Sequence, residues 1–388
     1  MALPLMSLPL LGRGFRPFFL LAAISAVLTV PTWVLLFTGS IAPLQLLPDP
    51  LLWHVHEMIY GYAMAVIAGF LLTAVANWTG WAPVRGLHLL LLVLLWLAGR
   101  LVIFIPVFPS WLVISVQLAF IPALAISLFV PLYKSRNIRN YVFLALLSLL
   151  FTFELLFLVS GELKILHLSV LVIMTMISLI GGRIIPAFTV SALRQRGFDV
   201  RNIDQPRADK LTLLSWLILA TLIYALGDNS TWVALAAFFV AALLLLRMRH
   251  YHTLKALSDP LLWILHGAYI WLIIGLILLA MHALDLIDSG PVWHAFTVGA
   301  LGSAVIGMMA RVTLGHTGRP LVCVPMTILS FYLMQIAALS RTFGIIILPD
   351  YYIPLLCLSA AAWMLAFVLY LIVYCPILSR PRLDGQPA

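Results

Sequence analysis

The sequence predicts an all-α polytopic membrane protein with twelve transmembrane helices. Three observations lead there. First, 64% of the 388 residues are hydrophobic and only 9% are charged, whereas soluble domains carry about 25% charged residues. Second, the apolar residues gather into runs long enough to cross a hydrocarbon core, which takes about 20 residues per helix. Third, the cations segregate between alternate loops, as the positive-inside rule requires.

The runs fall at residues 17–38, 53–78, 87–106, 111–132, 141–160, 164–182, 211–227, 231–248, 260–283, 291–312, 322–344 and 353–376, within one integral membrane domain covering residues 1–388. Met1–Leu11 lacks a basic start, and Arg13 and Arg16 follow that stretch. The first span, not a cleaved signal peptide, is therefore expected to direct insertion. The seventh and eighth spans are parted only by Gly227-Asp228-Asn229-Ser230, a tight turn signal. With the N-terminus inside, all of the 22 Lys and Arg residues except Arg100, Lys164 and Arg341 fall on inner loops or inner helix ends. Both termini are then expected in the cytoplasm. Residues 183–210 read as a basic cytoplasmic loop. Topology signals account for the net charge of +9, so no nucleic-acid partner is expected. Cys323, Cys357 and Cys375 lie in separate runs without a Cys-x-x-Cys pair and offer neither a disulfide framework nor a thiolate site.

Chemistry concentrates in Trp53-His54-Val55-His56-Glu57-Met58, which opens the second span. Ionisable groups there are costly and need a reason. His56, His167 and His294 open the second, sixth and tenth spans, at steps of 111 and 127 residues. This suggests three pseudo-repeated arcs of four helices, each offering one imidazole near the outer face. A shift of 238 residues places His56 on His294, Gly61 on Gly299, Gly69 on Gly307 and Thr79-Gly80 on Thr317-Gly318. Glycines at such positions let a helix, or a flat cofactor, approach a backbone closely. His54 and His56 stand about 200° apart on a regular helix. They face two centres, or one of them faces the headgroups.

Imidazole nitrogens ligate copper, zinc and haem iron, and a pair from opposed helices suits a haem with two axial histidines. The candidate ligands are His54, His56, His167, His282 and His294, with His54, His56 and His294 foremost for haem. Arg100, Lys164 and Arg341 lie on the same side and are either partners for haem propionates or interfacial cations. Glu57 is placed to orient an imidazole. Glu154, deep in the fifth span, is a candidate for a proton route or for the partner of a ligand histidine. Gly181-Gly182-Arg183 and Arg311 to Pro320, with His316 and Arg319, form either anion-binding nests or helix ends carrying topology charge.

Phe15-Arg16-Pro17-Phe18-Phe19, Trp53 to Met58, Gly69-Phe70-Leu71-Leu72-Thr73-Ala74, Asn77-Trp78-Thr79-Gly80, Gly181 to Thr189 and Arg311 to Pro320 together resemble the NnrS family over about residues 12–378. The resemblance implies a bacterial inner-membrane protein with haem and copper, linked to nitric oxide stress and denitrification. Its partners would be the lipid bilayer and nitric oxide or nitrosylated iron. The arrangement also resembles the haem-copper oxidase catalytic subunit. That fold has twelve helices in three arcs, with metal ligands on its second, sixth and tenth. Its His-x-His lies on the tenth helix, here on the second. Its adjacent copper histidines between the seventh and eighth spans have no counterpart, so oxygen reduction is not expected. The expected function is haem and copper binding in nitric oxide tolerance, with catalysis left open. The alternatives are a secondary transporter of a small solute or metal and a quinol-linked nitric oxide oxidoreductase.

Overall fold

A computed structural model describes residues 8–41, 49–105 and 107–385. Every regular element among them is helical. Eleven helices are long and apolar enough to cross a membrane: α1 (Phe15–Phe37), α2 (Pro50–Thr79), α4 (Ser110–Lys134), α5 (Ile138–Ser160), α6 (Leu163–Gln195), α7 (Pro206–Leu226), α8 (Thr231–Met248), α9 (Pro260–Ala283), α10 (Ser289–His316), α11 (Pro325–Ile347) and α12 (Pro349–Ser379). The twelfth apolar helix, α3 (Gly86–Val102), is shorter at 17 residues, the lower limit for a span. The end expected for it, Pro106, lies outside the described residues.

Local chemistry sets the helix ends. Asp49 and Asp259 each accept a hydrogen bond from a backbone N–H two residues on, at 2.7 and 3.0 Å, just ahead of Pro50 and Pro260. A carboxylate at the N-cap followed by proline at the first helical position is a strong start signal. Gly80 and Gly161 close α2 and α5 at φ 70°, a conformation that glycine adopts without strain.

Three helices contain π turns: Glu57–Ala63 in α2, Ala295–Gly302 in α10 and Ser340–Gly344 in α11. The first two begin immediately after His56 and His294. The 238-residue relation read from the sequence thus has a conformational counterpart, extended by Gly80 and Gly318, both left-handed at φ 70° and 71°. α6, which opens near His167, has no π turn among its described residues.

The polar connector after the sixth span is shorter than expected. The apolar run stops at Arg183, but α6 continues to Gln195, leaving 196–205 as the connector to α7. Pro186 lies inside this helix, where proline removes the N–H that would bond the carbonyl four residues back. That carbonyl belongs to Gly182, and Tyr251 Oη donates to it at 3.4 Å.

The chain groups into two compact units. Unit 1 comprises Met1–Ser169, Met309–Leu321 and Phe367–Ala388; unit 2 comprises Val170–Met308 and Val322–Ala366. In unit 1, α2 packs on α1 and α4, while α4 also meets α3 and α5. In unit 2, α8 packs on α7 and α9, and the π turn of α10 lies against α9 and α11.

Candidate functional site

In unit 1 the helix Pro50–His56 delivers His56 into the interior at 0% exposure. Its Nδ1 lies 3.0 Å from Glu57 Oε1 and its Nε2 lies 3.7 Å from Glu154 Oε1. The ring stacks on Phe157 at 5.5 Å and meets Tyr60 at 5.1 Å. Arg100 NH1 donates to the same Glu57 oxygen at 2.8 Å, and its NH2 donates to Gln117 Oε1 at 2.5 Å. Two buried carboxylates, one guanidinium and one imidazole therefore share a small volume inside spanning helices. Buried charges persist only when paired and hydrogen-bonded, and here Glu57 links the cationic groups. Tyr60 Oη closes one side, 2.7 Å from Ser169 Oγ.

Gly61 makes room for this clamp, since a Cβ there would stand 3.1 Å from Glu57 Oε2 and 3.3 Å from Arg100 Cδ. Its partner in the repeat, Gly299, is covered by Trp271 in unit 2, where a Cβ would come within 2.5 Å of the indole. Gly69 and Gly307 are covered by Phe19 and Ile264. These glycine faces receive side chains of neighbouring helices, so they do not serve as seats for a flat cofactor.

His54, two residues from His56, stacks on Trp33 at 4.4 Å between ring centroids. The two rings thus have different surroundings, as the 200° separation required. In unit 2, His294 Nδ1 lies 2.7 Å from Gly290 O and His282 Nδ1 lies 2.9 Å from Ile287 O. A carbonyl only accepts, so both rings are protonated at Nδ1. Metal-binding histidines are commonly oriented by such a bond. His282 Nε2 stands 3.7 Å from Asp228 Oδ2. His167 is half-buried and Lys164 exposed, both in the first turns of α6.

Several expected site residues serve other roles. Arg100 is engaged by Glu57 and Gln117, not held ready for a propionate. Arg341 donates to Tyr352 Oη at 3.1 Å and lies over its ring. Arg183 Nε binds Asp209 at 2.7 Å, and Asp209 also accepts from buried Arg247. His316 Nδ1 accepts from Arg13 at 3.2 Å, and its carbonyl accepts from Arg382 at 3.0 Å. Arg319 NH1 reaches only Thr317 O, at 3.4 Å. Burial and the neighbouring Arg382 lower the Arg13 pKa, and burial with Arg380 nearby lowers that of Arg319. Sequence reasoning passed over Gln117, Asp209 and Arg247. The available signal was that Gln117 is a lone polar residue within an apolar run, whereas Asp209 and Arg247 sit among other charged residues at helix ends and carry no such signal.

Among the described residues no three His, Cys, Asp or Glu side chains converge as a ligand set. The cavity beside Tyr60, Arg100, Gln117 and Glu154 holds only about 10 Å³. A haem plane therefore does not fit against His56 as it is packed. A single ion fits better. The 3.7 Å between His56 Nε2 and Glu154 Oε1 exceeds a hydrogen bond, and Glu154 Oε2 has no hydrogen-bond partner. His294, with Nδ1 protonated, would be oriented to hold a haem iron.

The fold and this cluster define a polytopic helical membrane protein with ionisable groups buried in its spans. The match to the family described as "NnrS protein" extends over residues 9–382, nearly the whole chain, and the protein belongs to that family. Membership links it to the nitric oxide response. A comparison with curated proteins returns no match.

Proposed function

We propose that this is a haem- and copper-binding protein of the bacterial inner membrane that contributes to nitric oxide tolerance. One observation carries the reading. His56 and His294 occupy equivalent repeat positions, each just ahead of a π turn, and each has Nδ1 engaged by an oxygen acceptor. Repeated placement with Nδ1 held by an oxygen acceptor is how ligand histidines are commonly oriented. Haem iron would be held through His294, with His282 as the alternative. Copper would be held by His56 with Glu154. When bound, these centres would supply reversible capture of nitric oxide. Glu57 and Arg100 keep the His56 ring oriented and its charge compensated.

The full-length protein, expressed with haem precursor and copper, should show a Soret band that is lost in His294→Ala and kept in His56→Ala. Its copper content should fall in His56→Ala and Glu154→Gln. A monodisperse, colourless and metal-free protein would overturn the reading and favour a transporter. A second reading, a quinol-linked nitric oxide oxidoreductase, draws on the buried Glu57–His56–Glu154 chain, because nitric oxide reduction consumes protons. Quinol-dependent nitric oxide consumption, abolished by Glu154→Gln, would select it.

A further inference from the structure

In unit 2, where α7 begins and α8 ends, a cavity of about 440 Å³ opens between the two helices. That is the size of a ligand site. Its lining includes Arg207, Arg247 and Arg249, against one carboxylate, Asp204. Arg247 is 4% exposed. It gives two nitrogens to Asp209 and Thr212, but its Nε is buried without a hydrogen-bond partner. Arg207 and Arg249 are exposed, and Arg249 Nε donates to His250 Nε2 at 2.8 Å. The first turn of α7 also lines the cavity, and the N-terminus of a 21-residue helix favours an anion. Leu211, Leu243 and Leu246 also line it, and Leu211 and Leu246 are 53% and 56% exposed.

A soluble anion would use the arginines and leave the leucines without purpose. An apolar ligand would leave three guanidinium groups facing it. A molecule with a phosphate at one end and alkyl chains at the other uses both. We propose that this cavity binds an anionic phospholipid, its headgroup phosphate among Arg207, Arg247 and Arg249 and its chains along Leu211, Leu243 and Leu246. Basic pockets between membrane helices recognise such headgroups.

The test is native mass spectrometry of the full-length protein in detergent, titrated with phosphatidylglycerol or phosphatidylcholine. Phosphatidylglycerol should be retained preferentially. That preference should fall about fivefold in Arg207→Gln and again in Arg249→Gln. Both positions are exposed, so folding should survive, which an unchanged elution profile would verify. Arg201→Gln, outside the cavity, should leave the preference intact. Equal retention of the two lipids would overturn the proposal. So would an unchanged preference in the double variant, or displacement of phosphatidylglycerol by millimolar inorganic phosphate.

Discussion

At the scale of single residues, the physics of this protein is the cost of charge inside an apolar bundle. Glu57 accepts from both His56 and Arg100. Removing it leaves the part-buried Arg100 guanidinium with only Gln117, at a cost of up to about 3 kcal/mol. Glu57→Ala should therefore lower the melting temperature in detergent sharply. The double variant Glu57→Ala/Arg100→Met should recover much of the loss, because no unpaired charge remains. Equal destabilisation by single and double variants would show that the pair is not coupled. His54 and His56 illustrate what sequence can and cannot say. Their spacing alone required different surroundings, but Trp33 and Glu154 as neighbours depend on segments about 20 and about 100 residues away.

At the scale of elements, the repeated π turns are the notable feature. A π turn widens the helix locally and is often found at functional sites. Here two of them follow repeat-related histidines and carry Gly61 and Gly299, each pressed by a bulky side chain. Gly299→Ala should destabilise by about 1–3 kcal/mol through overpacking against Trp271. Gly267→Ala in α9, with open space at its Cβ, should be neutral or slightly stabilising, since alanine is the better helix former. Thermal unfolding of the two variants measures the contrast, and equal shifts would refute it. The glycine register was legible before the structure. The π turns were not, because helix type depends on neighbouring helices rather than on local propensity. α6 shows the opposite limit. Hydropathy ended it at Arg183, yet hydrogen bonding continues for twelve more residues, because polar residues are compatible with helix wherever water or an ion partner such as Asp209 receives them.

At the scale of the whole molecule, eleven long apolar helices and one of 17 residues leave α3 to decide the topology. Twelve crossings put both termini on one side and eleven would separate them. Green fluorescent protein fused ahead of Met1 and, separately, after Ala388 should fluoresce in both cases, which places both ends in the cytoplasm. A fluorescent N-terminal fusion with a dark C-terminal one would show that α3 does not cross. The sequence alone determined the helical membrane class, the order of the helices and the 238-residue relation, because each is written in one-dimensional spacing and transfer free energy, while its motifs carried the resemblance to the family. Only the tertiary structure decided that Arg100 serves Glu57, that the glycine faces are filled, and that His56 is too tightly packed for a haem. Those outcomes depend on which distant side chains share a buried volume, and no local pattern encodes that.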